Sequence, residues 1–216
     1  VGYSEMILKA DNEAAIQALL AKVVRTLKAG FENGERVSQE EPTKYESKSN
    51  GATEIGVKIV RGMFRTLRLC LEARIDKKIP VNHALIPWLL EHTSLILNAT
   101  VRGDDGRTPW ARARGRPFGQ QLLGFGESVL YKQPDKGPEH DVEGNTGPRL
   151  LDGAVFLGYS RTSNSYMVAT DDGVKDVRGV HRKPEPNRWD ATRLSGLKAT
   201  PWSMRVKHDA EVVFND

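Results

Sequence analysis

Two carboxylates sit in settings that suit divalent-ion chemistry. Asp11 follows a short apolar run, Glu5-Met6-Ile7-Leu8-Lys9-Ala10, and Glu54 opens a long helical pattern in Ser49-Asn50-Gly51-Ala52-Thr53-Glu54. Carboxylates are hard oxygen donors of the kind Mg²⁺ prefers, and a pair brought together could hold an ion against a phosphate oxygen. Behind Glu54 the pattern continues with cations. Taking Glu54 as zero and advancing about 100° per residue, Lys58 falls near 40°, Arg61 near −20°, Arg65 near 20° and Arg68 near −40°. Ile55, Ile59, Val60, Met63, Leu67, Cys70 and Leu71 fall on the opposite side. One face therefore carries a carboxylate and then four cations, with no acid between Glu54 and Glu72. The plain alternative is a solvated helix face. Such faces usually intersperse acids with their cations, and this one does not. A stripe of one sign suits a phosphodiester backbone lying along it.

Other residue types offer less. His83, His92, His140, His181 and His208 have no ligand spacing and read as surface or capping residues. Cys70 is the single cysteine, so an intrachain disulfide and a cysteine-built zinc site are both excluded. Its place on the apolar face makes it a core residue. Ser49 has no His or Asp arranged near it and reads as a cap, Gly51 as a close-packing helix start, and Gly124-Phe125-Gly126 is too short for a phosphate loop. Trp88 and Trp110 read as core aromatics rather than stacking platforms.

The elements that would position the two carboxylates follow from periodicity. Glu5 to Ala10 reads as a buried strand. Asp11 or Asn12 can cap an amphipathic helix from Glu13 to about Lys28, with Ile16, Leu19, Leu20, Val23, Val24 and Leu27 apolar and Gly30 as its stop. Glu35 to Glu40 alternates weakly as a strand, and Pro42 to Asn50 is a polar loop. A long helix spans Gly51 to Ile75. A second spans roughly Pro87 to Val101, because proline suits a first turn better than an interior. Gly103 to Phe118 is an arginine-rich connector with Arg107, Arg112, Arg114 and Arg116 and no periodicity. After Gly126 the period becomes two. Ser128–Lys132, Gly153–Tyr159, Ser165–Thr170 and Val174–Val180 read as strands, separated by turn signals at Pro134–Gly147, Arg161–Asn164 and Asp171-Asp172-Gly173. Short strands with tight turns imply a small all-β barrel. From Pro184 onward the chain is polar, with Trp189 and Trp202 as isolated aromatics, and reads as only partly ordered.

The 216 residues leave room for one large domain or two small ones. The formal charge of +4 and pI near 9.2 permit a nucleic-acid partner without demanding one. No apolar run approaches the ~18 residues of a membrane span, so no membrane partner is expected. The chain opens on Val1 with no charged-then-apolar signal.

The order of motifs carries a resemblance. Lys9-Ala10-Asp11-Asn12-Glu13 after a strand, then Ser49-Asn50-Gly51-x-x-Glu54 opening a basic helix, resembles the integrase catalytic core of retroviruses and long-terminal-repeat retrotransposons, where the motifs run T-D-N-G and S-x-N-G-x-x-E. Ala10 and Glu13 replace the usual Thr and Gly, and the 42 residues between Asp11 and Glu54 exceed the usual gap. Gly153-Ala154-Val155-Phe156-Leu157-Gly158-Tyr159 with Ser165-Tyr166, together with Trp110-Ala111-Arg112 and Phe125-Gly126-Glu127-Ser128-Val129, resembles the segment after the core in copia-like elements. The resemblance covers about Ser4 to Arg182.

The resemblance implies an α+β chain: the C-terminal part of an RNase H-like core (1–105), an arginine-rich connector (106–126), a small Src-homology-3-like barrel (127–186) and a polar tail (187–216). It implies that Asp11 and Glu54 are catalytic, metal-binding carboxylates for Mg²⁺ (or Mn²⁺), and that Lys58 and Arg61 contact DNA. Arg65, Arg68, Arg112, Arg114 and Arg116 extend that basic surface. The expected function is that of a segment of a retrotransposon Pol polyprotein: DNA integration by metal-dependent strand transfer, nuclear, with DNA as partner and a homo-oligomeric full-length protein. In this family the first catalytic Asp and the zinc-binding domain precede the position of Val1, so the segment by itself is expected to be inactive. The alternatives are a non-catalytic nucleic-acid or chromatin-binding module derived from such an element, and an unrelated α+β interaction protein with a coincidental acid pair. The basic stripe disfavours the last.

Overall fold

A computed structural model describes residues 5–10, 13–30, 36–40, 51–132, 150–160, 163 and 165–205. By contacts the chain divides into two units, Val1–Arg61 with Ala113–Gly115, and Gly62–Arg112 with Arg116–Asp216. The boundary between the two units falls inside the long helix, at Arg61/Gly62.

In the first unit, β1 (Glu5–Lys9) pairs in parallel with β2 (Arg36–Glu40), in register from Glu5↔Arg36 to Lys9↔Glu40. Parallel neighbours need a crossover, and α1 (Ala14–Gly30) supplies it. Ile16, Leu20, Val24 and Leu27 form the half-buried stripe of α1, at spacings that keep them on one helix face. Leu19 and Val23 flank that stripe and are exposed. The apolar face is thus narrower than the sequence implies. Asp11, the Pro42–Asn50 stretch read as a loop and the Pro134–Gly147 turn signal lie outside the described residues.

α2 runs from Gly51 to Ile75, as its periodicity requires. Leu71 and Ile75 near its C-terminus are buried, while Ile55, Val57 and Ile59 near its start are exposed. Cys70 is exposed too, which corrects its reading as a core residue. At about 100° per residue it lies far enough round from Leu71 to miss the core. Asp76 ends the helix in the left-handed region at φ 51°, and Lys77 donates back to the Glu72 carbonyl (3.3 Å). α3 (Leu85–Thr100) starts two residues before Pro87. Proline is tolerated there because the first-turn amides have no intrahelical acceptor. The Leu85 amide is satisfied by His83 Nδ1 (3.2 Å). The connector contains a short helix, α4 (Pro109–Arg114), where no periodicity was visible.

The second unit is built on a five-stranded antiparallel sheet. β3 (Ser128–Lys132), β4 (Leu150–Tyr159), β5 (Tyr166–Thr170), β6 (Gly173–Val177) and β7 (Val180–Arg182) lie in the order β6-β5-β4-β3-β7. The run read as one strand from Val174 to Val180 is therefore two. β6 stays beside β5, and after Gly179 the chain crosses to pair β7 with β3. Alternation assigns the faces. Val155, Leu157, Met167 and Ala169 face a core shared with Leu71, Ile75, Leu85, Trp88, Leu89 and Phe125. Ala154, Phe156 and Val168 face a second core with Leu123, Val129, Tyr131 and Val177. A register shift between Phe156 and Gly158 breaks the alternation and returns Tyr159 to the Phe156 side. Gly126, at φ 79°, lies where a Cβ would meet Leu71 Cδ1 at 3.0 Å, so α2 closes directly onto the start of β3.

The part of the polar stretch after Pro184 that the structure describes, to Arg205, is folded, where the sequence read as only partly ordered. A 3-10 turn (Glu185–Asn187) leads to α5 (Ala191–Ser195), capped by Asp190 Oδ1 accepting from Arg193 N (3.1 Å). Leu194 and Ala199 are buried, and Trp88 Nε1 donates to the Ala199 carbonyl (2.8 Å). The Arg74 guanidinium stacks over Trp189, 4.5 Å from the ring centroid. The buried positions are too widely spaced to produce a period. His92, expected at the surface, is buried among Phe125, Phe156 and Tyr159 at centroid distances of 5.4, 5.8 and 6.5 Å.

Candidate nucleic-acid interface on the long helix

Gly51 opens α2, and Glu54 lies in its first turn with an exposed side chain. Unpaired backbone N–H groups and the helix dipole make that turn favourable for a negative charge. Lys58, Arg61 and Arg65 follow on the same face, all exposed and none with an ion-pair or hydrogen-bond partner among the described residues. Glu54 is likewise without a partner among them.

Arg68 behaves differently. Its Nε donates to Glu72 Oε1 (2.9 Å), and its Nη2 donates to the Ile79 carbonyl. Glu72 is buried, and its oxygens also accept from the Ile79 amide (3.0 Å) and Lys78 Nζ (3.2 Å). Burial pushes the Glu72 pKa up, but the Ile79 amide, Arg68 and Lys78 outweigh it, and the net shift is downward. Arg68 thus holds the corner between α2 and α3, and the free stripe ends at Arg65. The signal was present in the sequence: Arg68 and Glu72 stand at i, i+4.

Arg112 is also committed. It grips Asp105 through Nε to Oδ2 (3.0 Å) and Nη2 to Oδ1 (2.6 Å). The Arg112 hydrogen bonds, followed by the Arg107 amide, hold the Asp105 carboxyl at a pKa of about 2. Arg107 donates from Nη2 to the Ala111 carbonyl (3.1 Å) and accepts from the Gly103 amide at its own carbonyl (3.0 Å). Arg112 therefore fixes the connector's turn onto α4. Arg114 and Arg116 are exposed.

Sequence reasoning missed a buried carboxylate. Glu127 is fully enclosed (0% exposed) at the head of β3. It accepts from Arg182 Nε (2.6 Å), Arg182 Nη2 (3.0 Å) and the Gly124 amide (3.1 Å), with Arg188 Nε at 3.6 Å. The available signal was an acid placed directly before an apolar strand, Glu127-Ser128-Val129.

Among the described residues no group of three or more His, Cys, Asp or Glu side chains could hold a metal ion, and no helix is long and apolar enough to cross a membrane. No protein-family profile matches the chain, and no curated protein matches it. Among solved structures it is similar to one chain of the simian T-cell lymphotropic virus intasome in complex with PP2A regulatory subunit B56 gamma. The identity is 12%, the TM-score 0.36, and the match covers 83% of this chain and 58% of that one. This chain therefore spans less than two thirds of that neighbour's length.

Proposed function

We propose that this chain is a segment of a retroelement integrase that binds DNA along α2 and contributes carboxylates to metal-dependent strand transfer. One observation carries the reading. Glu54 is exposed in the first turn of α2, and Lys58, Arg61 and Arg65 stand behind it on one face with no partner among the described residues. A row of cations of one sign costs self-repulsion, which an anionic backbone relieves. The parallel β1-α1-β2 unit that precedes α2 suits the RNase H-like core of the proposed family. The bulged antiparallel sheet suits its small barrel.

In this reading Glu54, with Asp11, would hold Mg²⁺ or Mn²⁺. The donor chemistry fits, since an exposed carboxylate with no partner among the described residues is the hard oxygen ligand these ions take. When bound, the ion supplies Lewis-acid polarisation of a phosphodiester oxygen. Lys58 and Arg61 would contact backbone phosphates on the carboxylate side, Arg65 one turn further, and Arg114 and Arg116 elsewhere on the DNA. Arg68 and Arg112 serve the fold. A nuclear site of action and assembly of the full-length protein into oligomers belong to the same proposal.

Titration of a labelled DNA duplex at several salt concentrations tests it. Wild-type affinity should fall steeply with salt, and the variant Lys58→Gln/Arg61→Gln/Arg65→Gln should bind more weakly with a shallower dependence. An affinity indifferent to salt, or to the three substitutions, would overturn the proposal.

A further inference from the structure

Beyond the long helix, one aromatic residue is presented to solvent on a tightly held support. Thr200 and Ser203 exchange two backbone hydrogen bonds, each amide donating to the other's carbonyl at 3.0 Å, and close a two-residue turn over Pro201 and Trp202. Both sides of the turn are anchored. The Ala199 carbonyl accepts from buried Trp88, the Met204 carbonyl accepts from the Val174 amide (2.9 Å), and Arg205 bridges to Gly173. Pro201 further restricts the backbone. Trp202 is nonetheless 77% exposed, the most exposed of the large aromatic side chains described. Holding a large apolar ring in water is unfavourable, and holding it rigidly removes the ordering cost of a later contact.

The charges around it point to the partner. From Arg182 to Arg205 the chain holds the cations Arg182, Lys183, Arg188, Arg193, Lys198 and Arg205 against only Glu185 and Asp190. Arg182 and Arg188 meet Glu127, Lys183 meets Asp152, and Arg193 meets Asp190. Lys198 and Arg205, four residues before and three after Trp202, have no partner among the described residues. Of the carboxylates on the neighbouring β5–β6 turn, Asp172 is taken by Lys175 and Asp171 is exposed. Along the chain the ring is thus flanked by half-buried Lys198 and exposed Arg205, the two cations of this basic segment that have no partner among the described residues. A firmly held aromatic in a segment rich in cations matches single-stranded nucleic acid, whose bases offer π-faces to stack and whose phosphates pair with cations. A duplex hides those faces inside its own stack.

We propose that the Thr200–Ser203 turn is a stacking platform for unpaired nucleotides, with Trp202 receiving a base and Lys198 and Arg205 the flanking phosphates. This deepens the DNA-binding reading given above and rests on it. It separates this surface from α2, which carries no aromatic on its basic face.

Fluorescence anisotropy with labelled oligo-dT and a blunt duplex of equal length tests it on the full chain. Trp202→Ala should weaken oligo-dT binding about ten-fold or more, with duplex affinity unchanged. Because the ring neutralises no phosphate, the salt dependence of oligo-dT binding should stay the same in that variant. Trp202→Phe should recover most of the affinity. Lys198→Gln/Arg205→Gln should instead flatten the single-strand salt slope by about 1.4, at ~0.7 per phosphate. Oligo-dT should also protect Trp202 from acrylamide quenching. If Trp202→Ala leaves oligo-dT affinity unchanged, or weakens duplex and single strand equally, this proposal is overturned, while a steep salt-dependent duplex affinity would leave the α2 reading standing. Unchanged affinities would also be the result if Trp202 is an anchor for a protein, and that too overturns it. If the wild-type chain binds neither probe, both readings fall.

Discussion

Glu127 and Arg182 are locked in a two-pronged pair, 2.6 and 3.0 Å apart, with the carboxylate wholly enclosed and the guanidinium side chain 38% exposed. The pair ties the head of β3 to the end of β7, 55 residues later, and its two ends face different media. Removing either partner should therefore have unequal effects. Arg182→Met strands a buried anion on Arg188 and the Gly124 amide, and should destabilise the second unit by about 3 kcal/mol. Glu127→Gln leaves Arg182 free to turn to water and should cost only ~1–2 kcal/mol. Urea denaturation of both variants checks the order; equal losses would mean that Arg182 is no better solvated than its partner.

Two arginines on one helix should separate cleanly by experiment. Arg61→Gln should lower the log–log salt slope of duplex binding by about 0.9 and leave stability within ~0.5 kcal/mol. Arg68→Gln should leave the slope unchanged and lower stability by about 1–3 kcal/mol, because Glu72 loses a charged donor and the Ile79 carbonyl loses its partner. Parallel salt titrations and thermal melts read both effects. A slope change for Arg68→Gln would return that residue to the interface.

Carboxylate chemistry predicts a sharp metal response. Mn²⁺ bound to the chain should enhance water-proton relaxation, and Glu54→Gln or Asp11→Asn should abolish the enhancement rather than grade it, since the amide keeps shape but loses the charge that holds the ion. In a longer polypeptide that performs strand transfer, the same substitutions should remove activity. Undiminished Mn²⁺ binding in both variants would place the metal ligands elsewhere.

Stability should also fall in mild acid. Burial holds His92 at a pKa of about 4 and lowers that of His83, whose Nε2 side contacts the Ser195 carbonyl at 3.1 Å. Both folded values lie below the unfolded value of about 6.5. The stabilisation from both is therefore complete above pH 6.5 and declines as pH falls below it; for His92 the loss continues toward pH 4, by up to ten-fold in the unfolding constant per pH unit. The titratable group packed against the His92 ring is Tyr159, pushed up to about 12 first by burial, so it stays neutral throughout this range. His92→Phe should reduce the pH slope of the thermal midpoint between pH 6 and 4. An unaltered slope would show that His92 is not among the groups responsible.

The elements that carry the candidate site were largely legible. Glu54 and the cations at 58, 61 and 65 share a face because one helical period runs unbroken from Gly51 to Ile75. What lay beyond reach was tertiary commitment. Arg68 and Arg65 look alike on a helical wheel, but only Arg68 lies within reach of Glu72 and the Ile79 carbonyl. Cys70 sits on the apolar side by angle, yet the core engages α2 along Leu71 and Ile75 and leaves the thiol outside. β6 and β7 read as one strand because alternation continues through Gly179, and nothing local announces that the chain changes neighbours. The segment after Pro184 looked polar because it contributes single anchors, Trp189, Leu194 and Ala199, to a core built by other elements.

The bond from the Trp88 indole to the Ala199 carbonyl joins residues 111 apart, and His83 meets Ser195 across 112. Buried Trp88 in the first turn of α3, and His83 just before the helix, thus wait for acceptors made much later. At ribosomal speeds of ~5–20 residues per second, the delay is on the order of ten seconds. During it, α3 leaves the exit tunnel with its most apolar face uncovered, and the nascent chain must be shielded or stay loosely collapsed. A ribosome stalled before Ala199 emerges should carry a protease-sensitive α3, and truncation just ahead of α5 should convert the second unit from a packed fold into a chaperone client.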